Sequence, residues 1–184
     1  MPPEVDQAQF WHQPVQDIPR IKPLLGVLLG DPAFFQIERA TNAHMTSADG
    51  ALHRIDPFKA RKEWLALKNA YESIGIATAI LPAQPGLPDA CFTANPSMVL
   101  PLPDGTHEVW LAKMAHPSRA DEVHLHRKFF ENQLCRIRTM PESVSKFEGC
   151  GDGLLHPNRF LLHAGFGARS SRAAWEHLAK THPT

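Results

Sequence analysis

The sequence predicts an α/β fold built from a repeating unit of strand, turn, strand, helix and strand. Three stretches carry apolar residues at helical spacing, and short β-prone segments precede and follow them. The helix starts lie roughly 50–60 residues apart, a spacing typical of repeat architectures. A chain of 184 residues with 43% hydrophobic and 21% charged residues fits one folded domain. We place this domain at residues 21–184 and assign residues 1–20 to a loosely ordered N-terminal extension.

Three amphipathic helices are expected, and residues at their ends predict their bounds. The first should begin at Asp56-Pro57, a capping residue followed by proline, and end at Gly75. The second should begin near Pro117-Ser118, with Asp121 three residues after the serine as in a capping box. The third should span about residues 170–180. The faces expected to pack on a core comprise Ala60, Trp64, Leu67, Tyr71 and Ile74, then Val123, Arg127, Phe130 and Leu134, then Ala174, Trp175 and Leu178.

Short β-prone segments complete the repeating units. The strand candidates are residues 24–29, 76–81, 91–100 (broken at Pro96), 108–113, 135–138, 153–156 and 160–164. Because the third unit has no closing strand before Thr184, we expect a repeat fold that is cut within a unit. A last helix that caps the fold is the alternative.

Composition and charge argue against several classes of protein. The formal net charge is zero and no basic stripe is present, so we expect no nucleic-acid partner. No apolar run approaches the roughly 20 residues of a membrane span, so we expect no membrane partner either, and the N-terminus lacks the features of a secretory signal. Cys91, Cys135 and Cys150 cannot all pair and form no CxxC motif, so we expect free thiols and a cytoplasmic protein.

One group of side chains suggests a metal site, and its spacing argues against one. Glu122, His124 and His126 lie close together in the second predicted helix. Side chains two positions apart on a helix point away from each other, so the two histidines cannot share a metal ion there. We therefore expect a solvated helix face, no metal and no cofactor.

Two glycine-containing segments carry carboxylates. In residues 85–95, a β-prone stretch holds Asp89 near its start and Asn95 at its end; strand alternation would place Asp89 and Cys91 on one side. The alternative is a loop aspartate and a turn asparagine. In residues 146–155, Glu148 and Asp152 flank a Gly-Cys-Gly run. Paired carboxylates suit a planar guanidinium, and one of them could transfer protons; the alternative is a turn with an exposed glutamate.

A third segment, residues 163–171, places Arg169 after two glycines and at the start of the last helix. An arginine beside exposed backbone N–H groups makes a good site for a carboxylate. A phosphate-binding loop is the rival interpretation, but the GxGxxG spacing of dinucleotide sites is absent.

Together these segments resemble motifs of the guanidino-group-modifying superfamily, which includes amidinotransferases, arginine deiminases and dimethylarginine dimethylaminohydrolases. LPDACFTAN is similar to the family's LPDxVFTAN, FEGCGD resembles FEGxGD, and GFGARS resembles G-x-G-x-R-[TS]. Residues 111–119 resemble the link between the first two motifs, and residues 41–45 resemble INPxM. The resemblance extends from about residue 24 to the end, in the family's order.

The resemblance implies a β/α propeller, or pentein, of five ββαβ-type units around a central channel, of which about three units are present. It also implies a mechanism without a cofactor. A cysteine attacks the guanidino carbon, a histidine protonates the leaving amine, and carboxylates hold the guanidinium. The covalent intermediate then passes to water or to an amine.

The resemblance also implies roles for individual residues. Glu148 matches the catalytic carboxylate, and Arg169 matches the arginine that binds the substrate carboxylate. Lys113 stands where a substrate-contacting arginine is expected, which loses the bidentate fork. No residue matches the family's histidine and nucleophilic cysteine, which lie in its C-terminal portion. The substrate-binding positions carried over are Asn42, Asp89, Asn95, Lys113, Asp152 and Arg169.

Three hypotheses follow from these residues. The chain is the N-terminal fragment of a hydrolase or amidinotransferase acting on arginine or a related guanidino compound, and is inactive alone. In the second hypothesis the chain is a non-catalytic protein that binds a guanidino ligand. In the third it is the inactive product of a truncated gene. The choice between hydrolysis and transfer, and the oligomeric state, stay open at this point.

Overall fold

The structure is a computed structural model that describes residues 14–22, 26–40, 43–133 and 135–182. Its helices are α1 (Pro57–Ser73), α2 (Glu122–Asn132), the single turn α3 (Gly149–Asp152) and α4 (Arg172–Thr181). Its strands are β1 (Gly26–Gly30), β2 (Ala77–Leu81), β3 (Ser97–Pro101), β4 (His107–Leu111), β5 (Arg136–Thr139), β6 (Gly153–Leu155) and β7 (Leu162–Ala164). Three short 3-10 turns span Val15–Asp17, Ala43–Met45 and Pro117–Arg119.

The described strands form three small sheets. β1 and β2 form a parallel pair, and α1 lies between them in the sequence. β3 and β4 form an antiparallel hairpin, and β5 returns through α2 to lie parallel to β4. β6 and β7 form a second hairpin, which α4 follows. The α/β class is therefore confirmed, and the middle sheet has the predicted order of strand, turn, strand, helix and strand.

Helix α1 follows the predicted capping residues. The Asp56 carboxylate accepts hydrogen bonds from the backbone N–H of Phe58 at 2.9 Å and of Lys59 at 3.1 Å. Gly75 adopts a φ of 82° just after the helix, which favours glycine. The predicted core face is wrong in part, because no residue of α1 is fully buried and Leu67 and Ile74 are 48% and 71% exposed.

Among the described residues, every helix is too short or too polar to span a lipid bilayer.

Helix α2 departs from the prediction at its start and in its buried face. A 3-10 turn precedes it, and Asp121 makes no capping hydrogen bond through its side chain within the described chain. The buried side chains of α2 are Glu122, His126 and Phe130. The prediction of a solvated face at Glu122 and His126 is therefore wrong. Of the predicted core positions, Arg127 is partly exposed beside Glu131, and Leu134 lies outside the described residues.

Residues 91–95 do not form the predicted strand. The segment folds into turns in which Phe92 N–H donates to the Asp89 carbonyl at 2.9 Å, and β3 begins only at Ser97. Pro96 cannot donate a ladder hydrogen bond, and the side chain of Asn95 bonds to Glu148. The predicted alternation of Asp89 and Cys91 across a strand therefore does not apply.

The middle sheet carries a core on each face. On one face, Met98, Leu100 and Trp110 pack with Phe147 and with Leu178 of α4. On the other face, Val109 and Leu111 pack with Phe130 of α2. This alternation along β4 is that of a strand covered on both sides. The sheet therefore holds the ends of β3 and β4, where the candidate site lies, in fixed positions.

Residues 14–20, the described part of the chain before residue 21, contact the rest of the domain. Ile18 is buried, and its carbonyl accepts from the Arg159 guanidinium at 2.9 Å. Phe160 N–H donates to the Pro19 carbonyl at 2.8 Å. Residues 18–20 therefore contact the loop between β6 and β7.

Candidate active site

A cavity of ≈ 960 Å³ opens between the first two sheets and the segment that follows β5. One part of its wall is apolar and includes Leu28, Leu67 and Tyr71. The other part is polar and contains most of the residues that the sequence motifs single out. These polar lining residues are Asp89, Asn95, His116, Arg119, Glu148 and Arg169.

Glu148 is buried at the polar end of the cavity, where it is only 3% exposed. Its Oε1 accepts a hydrogen bond from Ala115 N–H, and its Oε2 accepts one from Asn95 Nδ2, both at 3.1 Å. Its own backbone N–H donates to Ser170 Oγ at 2.9 Å. The alternative of an exposed turn glutamate is therefore wrong, because this carboxylate is held on both oxygens.

The backbone around Glu148 explains the glycines of the motif. Gly149 adopts a φ of 46°, and a Cβ atom there would overlap the Ser97 carbonyl. A Cβ atom on Gly151 would overlap the Asn95 side-chain amide. Gly151 N–H also donates to the Ala94 carbonyl at 3.0 Å. The two glycines therefore allow this turn to lie directly against residues 94–97 and bring Glu148 to Asn95.

Two strand-like backbone hydrogen bonds set the position of the turn. Lys113 and Phe147 pair in an isolated antiparallel bridge, and each N–H donates to the other's carbonyl at 2.9 Å. Phe147 is fully buried, and its ring packs edge-on against Trp175 of α4. The residue that follows, Glu148, therefore enters the cavity from a rigid support.

Arg169 lies beside Glu148 and lines two openings. Its guanidinium nitrogen is 4.0 Å from Glu148 Oε2, and its side chain is 44% exposed. A smaller cleft of ≈ 240 Å³ on its other side is lined by Asp152 and residues 165–169. Asp152 Oδ2 is buried there without a hydrogen-bond partner among the described residues. The two motif carboxylates therefore line different openings that share Arg169, and do not form the paired clamp suggested by their spacing.

Lys113 is not brought to the cavity. Its Nζ donates to the carbonyls of Val144 at 2.6 Å, Pro141 at 3.2 Å and Glu142 at 3.4 Å. The prediction that its side chain faces a ligand is therefore not met by this geometry, because three carbonyl oxygens hold the ammonium group. Asn42, also predicted to contact substrate, lies outside the described residues.

A buried polar network at the start of α2 was not predicted from the sequence. Arg119 donates from Nε and from a terminal nitrogen to the two oxygens of Glu122, at 2.8 and 2.7 Å. His126 Nδ1 is 2.9 Å from Ser97 Oγ, and burial together with the charge of Arg119 lowers the pKa of His126 to about 4. Positions 119, 122, 126 and 130 follow helical spacing and end in Phe130, and this register could have revealed the buried face.

The cysteines of the chain do not have the properties of an activated nucleophile. Burial, with a smaller effect of the Asp89 charge, raises the pKa of Cys91 to about 12, so this cavity residue is a neutral thiol. Burial also raises the pKa of Cys135, which does not line the cavity. Cys150 lines the cavity and is exposed as a residue, but the burial of its thiol raises its pKa as well. Among the described residues, no group of three or more His, Cys, Asp and Glu side chains could hold a metal ion.

Comparison with known sequences gives relatives for most of the chain. No protein-family model matches. The bifunctional arginine dihydrolase/ornithine cyclodeaminase ArgZ of Synechocystis sp. is 28% identical over 154 residues, 84% of this chain and 20% of ArgZ. The dimethylarginine dimethylaminohydrolase of Mycobacterium tuberculosis is 27% identical over 150 residues, 80% of this chain and 44% of that protein. An uncharacterized Caenorhabditis elegans protein, ZK1307.1, is 31% identical over 83% of this chain and 50% of its own length.

The chain is a relative of the guanidino-group-modifying enzymes. It matches the N-terminal portion of these proteins and spans half or less of the length of each curated relative. The resemblance inferred from the sequence motifs is therefore confirmed.

Solved structures of this superfamily share the fold of the chain. The unliganded structure of ArgZ aligns with a TM-score of 0.76 and 26% identity, covering 86% of this chain and 23% of ArgZ. A substrate-bound mutant of the N-terminal domain of ArgZ aligns with a TM-score of 0.74 and 26% identity, covering 84% of this chain and 54% of that domain. A dimethylarginine dimethylaminohydrolase adduct, at 14% identity and a TM-score of 0.66, shares the fold alone.

Proposed function

We propose that the chain supplies the guanidinium-binding part of the active site of a hydrolase or amidinotransferase acting on arginine or a related compound. The observation that carries the proposal is the environment of Glu148, a buried carboxylate that lines the cavity and is held on both oxygens. A carboxylate oriented in this way can accept hydrogen bonds from the fork of N–H donors of a guanidinium group. ArgZ, which carries arginine dihydrolase in its name, supports arginine as the ligand.

In this proposal each polar residue of the cavity has its own role in binding the ligand. Glu148 holds the guanidinium and assists proton transfer, and the Asn95 amide keeps its carboxylate in place. Asp89 adds negative charge at the cavity wall. Arg169 binds the carboxylate of an amino-acid ligand, which requires its guanidinium to leave the side of Glu148. In this proposal the attack on the guanidino carbon comes from a cysteine outside residues 1–184, assisted by a histidine, because burial raises the pKa of both cavity cysteines, Cys91 and Cys150.

The proposal includes a β/α propeller and a cytoplasmic location. The ββαβ order of the middle sheet and the TM-scores of 0.74 and 0.76 with ArgZ structures support the propeller. In this interpretation the three sheets are three of five units, and the cavity lies at the channel. Three free cysteines support a reducing compartment.

The binding step is tested by titrating the chain with arginine in a calorimeter. We expect saturable binding for the wild type and a loss of affinity of at least about tenfold for Glu148→Gln, because a hydrogen bond between charged groups is removed. Glu63→Gln on the surface of α1 is the matched control, since it removes one negative charge from an exposed position. A folded wild-type chain that takes up no arginine at millimolar concentration would overturn the proposal.

A non-catalytic guanidino-binding protein is the second candidate. The observation that favours it is that the carboxylate site is assembled while burial raises the pKa of both cysteines that line the cavity, Cys91 and Cys150. Both candidates leave residues 1–184 without turnover of their own, and incubation of the chain with arginine, followed by assays for ammonia, citrulline and ornithine, tests this shared expectation. We expect no turnover by the chain alone; turnover above that of a Glu148→Gln control would show that residues 1–184 contain their own nucleophile.

A further inference from the structure

The segment that carries Asp89 and Asn95 has no strand or helix of its own. Between β2 and β3 the chain runs through successive turns, yet these two side chains line the cavity. Turns of this kind are mobile unless side chains outside the segment hold them. The positions of Asp89 and Asn95 therefore depend on contacts with neighbouring elements.

One side of the segment rests on β1. Thr93 Oγ1 donates to the Leu28 carbonyl at 2.8 Å. Gly30, at the end of β1, approaches so closely that a Cβ atom there would lie 2.5 Å from the Ala90 carbonyl oxygen. These contacts hold the middle of the segment on β1. The Asp89 and Phe92 carbonyls, on its other side, are contacted by Arg119, just before α2.

Arg119 holds that other side. The same terminal nitrogen that bonds to Glu122 also lies 3.2 Å from the Phe92 carbonyl and 3.4 Å from the Asp89 carbonyl, and donates to both. Arg119 is only 9% exposed and lines the cavity. Its planar group therefore joins the segment to the first turn of α2.

The charge of Arg119 is balanced by Glu122. Burial alone would lower the pKa of Arg119, but the Glu122 carboxylate holds that pKa above its ordinary value. Pairing with Glu122 weakens the repulsion between the Arg119 charge and a guanidinium ligand at the cavity wall. Its donors are directed to the segment and to Glu122, which distinguishes it from Arg169.

We propose that Arg119 is a positioning residue of the guanidino site, which acts by fixing the backbone of residues 89–95 through the Asp89 and Phe92 carbonyls. This inference rests on the proposed function for its consequence in ligand binding. Whether Arg119 holds residues 89–95 in place can be measured by amide hydrogen exchange without any ligand.

The test compares a single with a double substitution. Arg119→Met leaves the Glu122 carboxylate buried without its cation, so we expect a lower melting temperature. Arg119→Met combined with Glu122→Leu replaces the ion pair by apolar groups of similar size, and we expect the melting temperature to recover. In both variants the Asp89 and Phe92 carbonyls lose the hydrogen bonds from Arg119. We therefore expect faster amide hydrogen exchange in residues 89–95 and arginine affinity weakened about tenfold or more.

The matched control is Arg127→Met, which removes a partly exposed arginine from α2, the helix that follows the Arg119 turn. It should leave exchange and affinity unchanged. A double variant with wild-type exchange in residues 89–95 and wild-type affinity would show that Arg119 only stabilises the fold. If the wild type takes up no arginine, the proposed function fails, and the exchange of residues 89–95 alone decides whether Arg119 holds the segment.

Discussion

Asn95 donates its side-chain amide to Oε2 of Glu148 at 3.1 Å, across 53 positions of the chain. Both side chains are buried, at 7% and 3% exposure. The contact joins the segment before the middle sheet to the turn after it. It therefore brings two motifs, separate in the sequence, to one site.

This hydrogen bond should make the two residues energetically dependent on each other. Asn95→Leu removes the donor from a buried carboxylate, which should lower the free energy of unfolding by about 1–3 kcal/mol. In Glu148→Gln the charge is already absent, so adding Asn95→Leu should cost less than it does in the wild type. Urea unfolding of the two single variants and the double variant measures this coupling. Additive effects would contradict a direct interaction.

Gly149 should tolerate no side chain, for two separable reasons. Its positive φ disfavours any side chain, and a Cβ atom would overlap the Ser97 carbonyl. Gly86 has a φ of 81°, and a Cβ atom there would meet nothing within 4 Å, so Gly86→Ala reports the backbone cost alone, about 1 kcal/mol. We expect Gly149→Ala to lower the free energy of unfolding by at least about 2 kcal/mol more than Gly86→Ala does, because backbone atoms must shift.

Thermal and urea unfolding of the two alanine variants provide the comparison. Gly149→Ala should also weaken arginine binding, since the turn carries Glu148. Equal losses of stability at Gly149 and Gly86 would show that the contact with Ser97 carries no cost.

Arg169 should affect ligands with and without a carboxylate differently. Arg169→Ala should weaken arginine binding about tenfold, through the loss of a charged pair with the ligand carboxylate. Methylguanidine has no carboxylate, and its affinity should be unchanged or increased, because the Arg169 guanidinium lies 4.0 Å from Glu148 and competes for that carboxylate. Calorimetry with both ligands tests this prediction. An equal loss for arginine and methylguanidine would assign Arg169 a structural role.

His126 should make the fold less stable in mild acid. Burial lowers its pKa to about 4, against an ordinary value near 6.5 in the unfolded chain. Between these values the unfolded state binds the proton more readily, so stability is complete above pH 6.5 and falls as the pH drops toward 4. The loss should reach about 3 kcal/mol.

Urea unfolding across this pH range measures the loss. His126→Gln should make the curve flatter, whereas His124→Gln, on the exposed side of α2, should leave it unchanged. A His126→Gln curve as steep as that of the wild type would show that other groups control the acid sensitivity.

The elements that could be predicted from the sequence are those whose ends are set by residues close to them in the chain. Asp56 and Gly75 define the ends of α1 through hydrogen bonds and dihedral angles within a few positions of themselves. The strands after α1 and α2 were predicted to within about a residue, because short apolar runs between turns have few alternatives. Residues 91–95 were mispredicted because their β-prone composition is overridden by Pro96 and by the contacts of Asn95.

The sequence by itself determined the α/β class, the places of the helices and the superfamily, and it singled out Glu148, Asn95, Asp89 and Arg169. Only the tertiary structure decided that Glu148 is buried and held on both oxygens, and that Lys113 donates to three carbonyls away from the cavity. The same holds for the pairing of Glu122 with Arg119, which lines the cavity. The physical reason is the cost of burying polar groups. A charged side chain takes whichever partner the distant chain brings within reach, and its spacing along the sequence does not identify that partner.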